Sequence, residues 1–183
     1  MHSLFKWAYK RRANFYAKKL LKCINKNEKV LDIGAGSGYI AKILSSKANI
    51  TLIDIIDYNQ TDLPLKLYDG TKLPFGTNSF DAGIITAVLH HTPNPEKFLE
   101  ECKRVCKRII IIDEVYSSIF SRFFMNIWEW FWNKTSGIST YYNFHSDAEW
   151  NEIFNNLHLK VARSEDFRRS LATLHMKCYI LEK

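Results

Sequence analysis

Three glycines at alternate positions, Gly34, Gly36 and Gly38, follow an apolar run at 30–33 in which Asp32 is the only charged residue. Glycine opens backbone conformations closed to other residues and lets the chain approach a ligand closely. A run with helical spacing, Tyr39, Ile40, Ile43 and Leu44, comes directly after. Strand, glycine loop and helix together set loop amides and a helix N-terminus at one strand end, where nucleotide-like ligands bind in open α/β sheets. Further reactive groups recur in the same context. Asp54 follows the apolar residues 50–53, with Asp57 as its rival if that strand runs longer. Asp69-Gly70 follows 65–68, His90-His91 follows the run beginning at Phe80, and Asp113-Glu114 follows 109–112. A carboxylate at such a strand end can accept both hydroxyls of a ribose. Imidazole titrates near neutral pH and suits a base, although a histidine there can equally bond a backbone group in the turn.

Positioning these groups requires a sheet, and strand and helix signals alternate through most of the chain. Strands are expected at 30–33, 50–54, 65–68, 82–86, 109–113, 159–164 and 177–181, and helices at 39–46, 95–106 and 147–155. Pro95 suits a first helical turn, with Asn94 as N-cap. The alternation predicts an α/β fold, a three-layer sandwich whose mostly parallel seven-stranded sheet ends in an antiparallel strand. About ten residues separate the second and third strands, too few for the usual crossover helix, so a loop or a single turn is expected there. No repeat or linker divides the 183 residues, which read as one domain.

Dinucleotide sites carry Gly-x-Gly-x-x-Gly, whereas this loop runs Gly-x-Gly-x-Gly, which argues against NAD. With Asp32 two residues ahead, it resembles motif I of the class I S-adenosylmethionine (SAM)-dependent methyltransferases, a Rossmann-like family. The block Ser79-Phe80-Asp81 through Leu89-His90-His91 resembles the type 11, ubiquinone/menaquinone-biosynthesis-like methyltransferase domain, and the resemblance covers nearly all of 28–183. It implies SAM as cofactor and S-adenosylhomocysteine as product. Asp32, Gly34, Ala35, Gly36 and Gly38 would lie by the amino-acid end, Asp54 at the ribose, Asp69 and Gly70 at the adenine, and Thr86 and Ala87 near the methionine portion. His90, His91 and Asp113 are the catalytic candidates by the acceptor, and no third ligand beside the histidines suggests a metal.

The charge is uneven. Residues 1–27 hold eight basic residues and no acid, leaving 18 basic against 19 acidic residues in the remainder. This segment reads as a basic helix with Leu4, Trp7, Ala8, Phe15, Leu20 and Ile24 as buried positions. It is either a solvated face packed beside the site or a contact with an anionic membrane or acidic partner. Four scattered cysteines fit reduced thiols, hence a cytoplasmic protein, peripheral at the membrane if the basic helix docks there. No apolar run has the length of a membrane span.

Residues 116–144 hold 11 of the 26 aromatics. Phe120, Phe124, Ile127, Trp128, Phe131 and Trp132 recur near helical spacing, an insertion at 115–146 that reads as a lid, as core packing, or as an interfacial segment. Trp128, Trp132, Tyr141 and Tyr142 are its substrate candidates. The function expected is methyl transfer to a small, apolar or aromatic acceptor. A non-catalytic SAM-binding or membrane-docking subunit and an RNA methyltransferase are the alternatives. Confinement of the positive charge to one segment argues against nucleic acid.

Overall fold

The computed structural model describes residues 2–123, 125–127, 141, 143–168 and 175–183, with side chains from Trp7 onward except Ala8. The strands are β1 (Lys29–Ile33), β2 (Asn49–Asp54), β3 (Leu65–Leu67), β4 (Phe80–Thr86), β5 (Cys106–Tyr116), β6 (His145–Ser146), β7 (Lys160–Arg168) and β8 (His175–Glu182). The helices are α1 (His2–Leu20), α2 (Tyr39–Leu44), α3 (Pro95–Val105) and α4 (Asp147–Asn156), with a 3₁₀ turn over Leu89–His91. Residues 119–123 and 125–127 are also helical. The sheet runs β3-β2-β1-β4-β5-β8-β7, parallel except for β8, while the two-residue β6 pairs with the end of β5. The seven expected strands and the antiparallel last one are all present, and β6 is an addition.

Apolar runs form the central strands because both faces of the sheet are covered. Leu31, Ile33, Ile85, Ile109 and Ile111 point to a cluster with Leu99 and Val105 of α3 and Trp150 and Phe154 of α4. Their neighbours Val30, Ala82, Ile84, Ile110 and Ile112 point the other way, against Tyr16, Ala17 and Leu20 of α1 and Ile24. This is the period-2 alternation of a strand, read on both faces. Caps fix the covering helices. The Asn94 side chain accepts the Lys97 N–H, with Pro95 in the first turn, and Ser146 and Glu149 form a capping box on α4.

The link from β2 to β3 is a loop without a helix. Asn59 bonds Thr61 and the Leu63 carbonyl, and Leu63 and Leu65 pack on Ala35, Ala41 and Leu52. One expectation for α1 is overturned, since Trp7 is exposed. The stripe that packs on the sheet is Ala13, Tyr16, Ala17, Leu20 and Ile24, so Trp7 stacks instead with Arg11, whose guanidinium lies 5.4 Å from the ring centroid. Leu4 and Ala8 lie outside the described side chains.

Beyond α1, the chain is tied to the sheet through Arg108 of β5, which bonds both carboxylate oxygens of Glu28 at 2.7 Å and the Cys23 carbonyl at 2.7 Å. Burial alone would raise the Glu28 carboxyl, but its hydrogen bonds from Arg108 and Asn25 hold it below the usual range. Its contribution to stability is therefore complete at neutral pH and is lost as pH falls through the lowered value. Glu28→Gln is expected to lower the unfolding free energy at pH 7 by about 1–3 kcal/mol. Urea melts at pH 7 and pH 3 check this, with the difference between the proteins shrinking at pH 3.

Candidate functional site

The sheet order reverses between β1 and β4: from β1 the chain moves out to β2 and β3, then returns to β4 and moves the other way. Ligands of open α/β sheets bind at such a switch point, beyond the carboxyl ends of the strands. The glycine loop stands at that place. Gly34 and Ala35 donate their N–H groups to the Ile53 carbonyl at 2.9 and 3.2 Å, which folds the loop over the end of β2. Gly36 then donates to Asp54 Oδ2 at 2.7 Å, while Asp54 Oδ1 accepts the Ile55 N–H.

Each glycine has its own reason. A Cβ on Gly34 would come within 2.6 Å of Val88, and one on Gly38 within 2.4 Å of Asn59. At Gly36 a Cβ would meet nothing within 4 Å, although φ is +52°. Gly34 and Gly38 are thus required by packing, whereas Gly36 presents its backbone to open space. Beneath the loop, Asp32 is only 2% exposed and its Oδ2 has no hydrogen-bond partner. Burial, and then the neighbouring Asp54 charge, pushes its carboxyl up to about 7. Thr86 Oγ1, at the end of β4, is likewise buried without a hydrogen bond. Two orphaned polar groups flanking the switch point cost about 1–3 kcal/mol each or more unless a ligand bonds them.

Past β4 the chain turns sharply. Ala87 adopts φ +54° and donates to the Ile112 carbonyl at 2.8 Å, which aims Val88 at Gly34. Asp113 clamps the adjoining residues: Oδ2 accepts the Leu89 N–H at 3.0 Å, and Oδ1 pairs with His90 Nδ1 at 2.7 Å. Burial would raise the Asp113 carboxyl, but the His90 charge and hydrogen bond outweigh it and hold it low. His90 is buried with it and stacks on Phe144, ring centroids 4.9 Å apart. Asn143 ties this turn to the later chain through the His90 and Thr92 carbonyls. His90 and Asp113 therefore build the turn, and His91 is the half-exposed imidazole of the pair.

Asp69 is exposed, and its Oδ1 accepts Thr71 Oγ1 and N–H groups at 2.7 and 2.8 Å, which lowers its carboxyl. Gly70, at φ +80°, lies close to Ile55 at the end of β2, so the Asp69 turn stands by the Asp54 loop. Asp57 is exposed and accepts the Asn59 N–H, which leaves Asp54 as the carboxylate against the glycine loop. Glu114 is buried, so the pair 113–114 does not open on the mouth. Tyr141 is exposed; Trp128, Trp132 and Tyr142 lie outside the described residues. Sequence reasoning missed Val88, Asn143 and the stacking of Phe144. The positive φ at Ala87 aims Val88, while Asn143 and Phe144 reach His90 from some fifty residues along the chain, and no residue type announces either. Surface depressions by Lys29, Asn49 and Phe80, and by Lys103 and His158, lie at the opposite edge and hold none of the orphaned groups.

Residues 31–110 match the family model described as a methyltransferase domain. The chain is 31% identical over 97 residues to a demethylmenaquinone methyltransferase of Paenarthrobacter aurescens, covering 47% of this chain and 38% of that protein. It is 35% identical over 104 residues to the ubiquinone/menaquinone biosynthesis C-methyltransferase UbiE of Rickettsia prowazekii, covering 45% and 42%. The chain thus spans about four-tenths of the length of these curated relatives. A SAM-dependent methyltransferase structure from Archaeoglobus fulgidus superposes over 100% of both chains with TM-score 0.77 at 13% identity. The YcgJ protein of Bacillus subtilis superposes with TM-score 0.73 at 15% identity, over 93% of this chain and 99% of its own. At these identities the structures speak for the fold.

Asp32 carries a test of the cradle without ligand. Its folded value of about 7 lies above the ordinary 3.8, so ionising it destabilises the folded chain as pH rises between those values. Asp32→Asn is expected to unfold at a higher temperature than the parent at pH 8 and to show no such gain at pH 4. Thermal melts at the two pH values check it.

Proposed function

We propose that this chain, which carries a class I SAM-dependent methyltransferase domain, transfers a methyl group from SAM to a small, apolar or aromatic acceptor. The observation that carries the reading is the buried Asp32 carboxylate lacking a hydrogen-bond partner beneath the open Gly36 backbone. An anionic group in that position suits a cationic ligand, whose charge would draw the Asp32 carboxyl back toward its ordinary range. Asp54 keeps acceptor capacity for two ribose hydroxyls beyond its bond to Gly36, and the Asp69-Gly70 turn stands beside it for an adenine edge. Thr86 Oγ1 adds a hydroxyl without a hydrogen bond at the end of β4. The cofactor supplies an activated methyl group on a sulfonium.

What remains for the protein is to hold the acceptor in line and to exclude water, and positioning of this kind can supply several kcal/mol of a barrier. His90 is committed to Asp113 through Nδ1, so it holds the turn, and His91 is the imidazole nearer solvent for an acceptor that must lose a proton. Two of the relatives are named for quinone methylation, which supports an apolar ring as acceptor. The four free thiols suit a reducing, cytoplasmic setting.

Calorimetric titration is expected to show SAM binding and no NADH binding. Asp54→Ala should weaken SAM at least about tenfold by removing two charge-assisted hydrogen bonds, with circular dichroism confirming a folded variant. Incubation with labelled SAM and reduced quinones should label the quinone. Labelled RNA in its place would favour the nucleic-acid reading, and tight SAM binding without any labelled product a non-catalytic one.

A further inference from the structure

The helical residues 119–123 and 125–127 carry apolar side chains turned outward. At about 100° per residue, Ile119, Phe120 and Phe123 fall within about 100° of arc, and Ile127 is exposed as they are. They are 84%, 79%, 60% and 48% exposed. Met125, by contrast, is buried in the cluster that holds Tyr16, Ala17 and Leu20 of α1. The segment is therefore anchored through Met125, while its other apolar side chains stay largely exposed.

The amino half of α1 lies toward the same edge. The Leu21 carbonyl accepts Lys47 Nζ beyond the end of α2, while Lys10 Nζ sits 5.4 Å from the Tyr39 ring at the start of α2. Helix α1 thus runs alongside α2, its N-terminus pointing to the carboxyl ends of the strands. Residues 1–27 contain no acid. Lys10, Arg11 and Arg12 are exposed, with Trp7 beside Arg11. Exposed apolar side chains just past the end of β5, and the basic amino half of α1 with its exposed tryptophan, together have the composition of a surface that lies on anionic lipid. No described helix is long and apolar enough to cross a membrane.

We infer that the edge bearing the mouth of the site docks on an anionic bilayer surface. Ile119, Phe120, Phe123 and Ile127 enter the acyl boundary, and Trp7, Lys10, Arg11 and Arg12 meet the headgroups. The inference rests on the methyl-transfer reading only in giving its apolar acceptor a source, the bilayer itself.

Sedimentation with phosphatidylcholine vesicles, with and without phosphatidylglycerol, tests it on the full chain. The protein is expected to sediment with the anionic vesicles far more than with the neutral ones, and high salt should reduce binding severalfold. Ile119→Ser with Phe120→Ser should weaken binding at least about tenfold, since two large side chains lose their burial in lipid. Lys10→Glu with Arg11→Glu should remove the preference for anionic vesicles. Equal sedimentation with neutral and anionic vesicles, none with either, or full binding by the serine variant would overturn the inference. Self-association abolished by the serine variant, without vesicle binding, would assign the face to a second copy. Retention of RNA in place of vesicles would assign the basic edge to nucleic acid. Titration of SAM without vesicles separates the two readings. Binding of SAM with no vesicle binding overturns only the docking, and vesicle binding without SAM binding overturns only the methyl-transfer reading.

Discussion

Everything at this site depends on a fold of the backbone across the ends of β1 and β2. Two amides of the glycine loop converge on one carbonyl, that of Ile53, and a third, from Gly36, reaches the Asp54 carboxylate. These bonds close the loop over Asp32 and hold Asp54 near enough for Asp32 to feel its charge. The loop can follow this path only because Gly34 and Gly38 meet Val88 and Asn59 where a Cβ would not fit. Packing from β4's exit and from the β2–β3 loop thus shapes the cradle, and the cradle leaves one backbone stretch, at Gly36, facing open space.

That arrangement is held against resistance. A buried carboxylate close to a second one is unfavourable when ionised, and a non-glycine residue at positive φ, as at Ala87, adds strain of about 1 kcal/mol or more. Asp113 provides the compensation. One buried carboxylate bonds the Leu89 amide, the Glu114 amide and the His90 ring, so the turn after β4 is over-determined from β5. The end of β5 is in this way coupled to the shape of the turn after β4. It explains why His90, a candidate base by residue type, is a component of the scaffold.

Much of the fold can be read from residue types because the central strands are buried on both faces, so they appear as unbroken apolar runs with a carboxylate or imidazole at the exit. The same logic places Asp54, whose strand ends where its apolar run ends. Other features are not encoded so locally. Trp7 fits a helical stripe, but α1 carries aromatic residues around most of its circumference, and only the packing of Ala13 and Ala17 selects the buried side. Asp113 and Glu114 read as a pair at the mouth, yet the alternation of β5 and the demand of the Leu89 amide draw the first inward. Asp69 is visible as a turn residue, but its engagement with Thr71 is a property of the folded turn.

The distribution of charge separates two tasks. The cradle is lined by carboxylates, Asp32 within and Asp54 and Asp69 at its rim, which under the proposed reading suits a cationic ligand. The basic side chains of α1 stand outside it, and Lys10 is directed to the Tyr39 ring. Positive charge on that edge cannot help to bind a cation; at short range it opposes it, and at a Debye length of about 8 Å its reach in saline is limited. Under the inferred docking, that charge faces something anionic outside the pocket. The exposed apolar side chains Ile119, Phe120, Phe123 and Ile127 are of no use to a soluble anion, but they suit a surface with charge above and hydrocarbon below. An acceptor too apolar to travel through water would meet this chain at such a surface, so that the inferred docking and the proposed methyl transfer would share one edge.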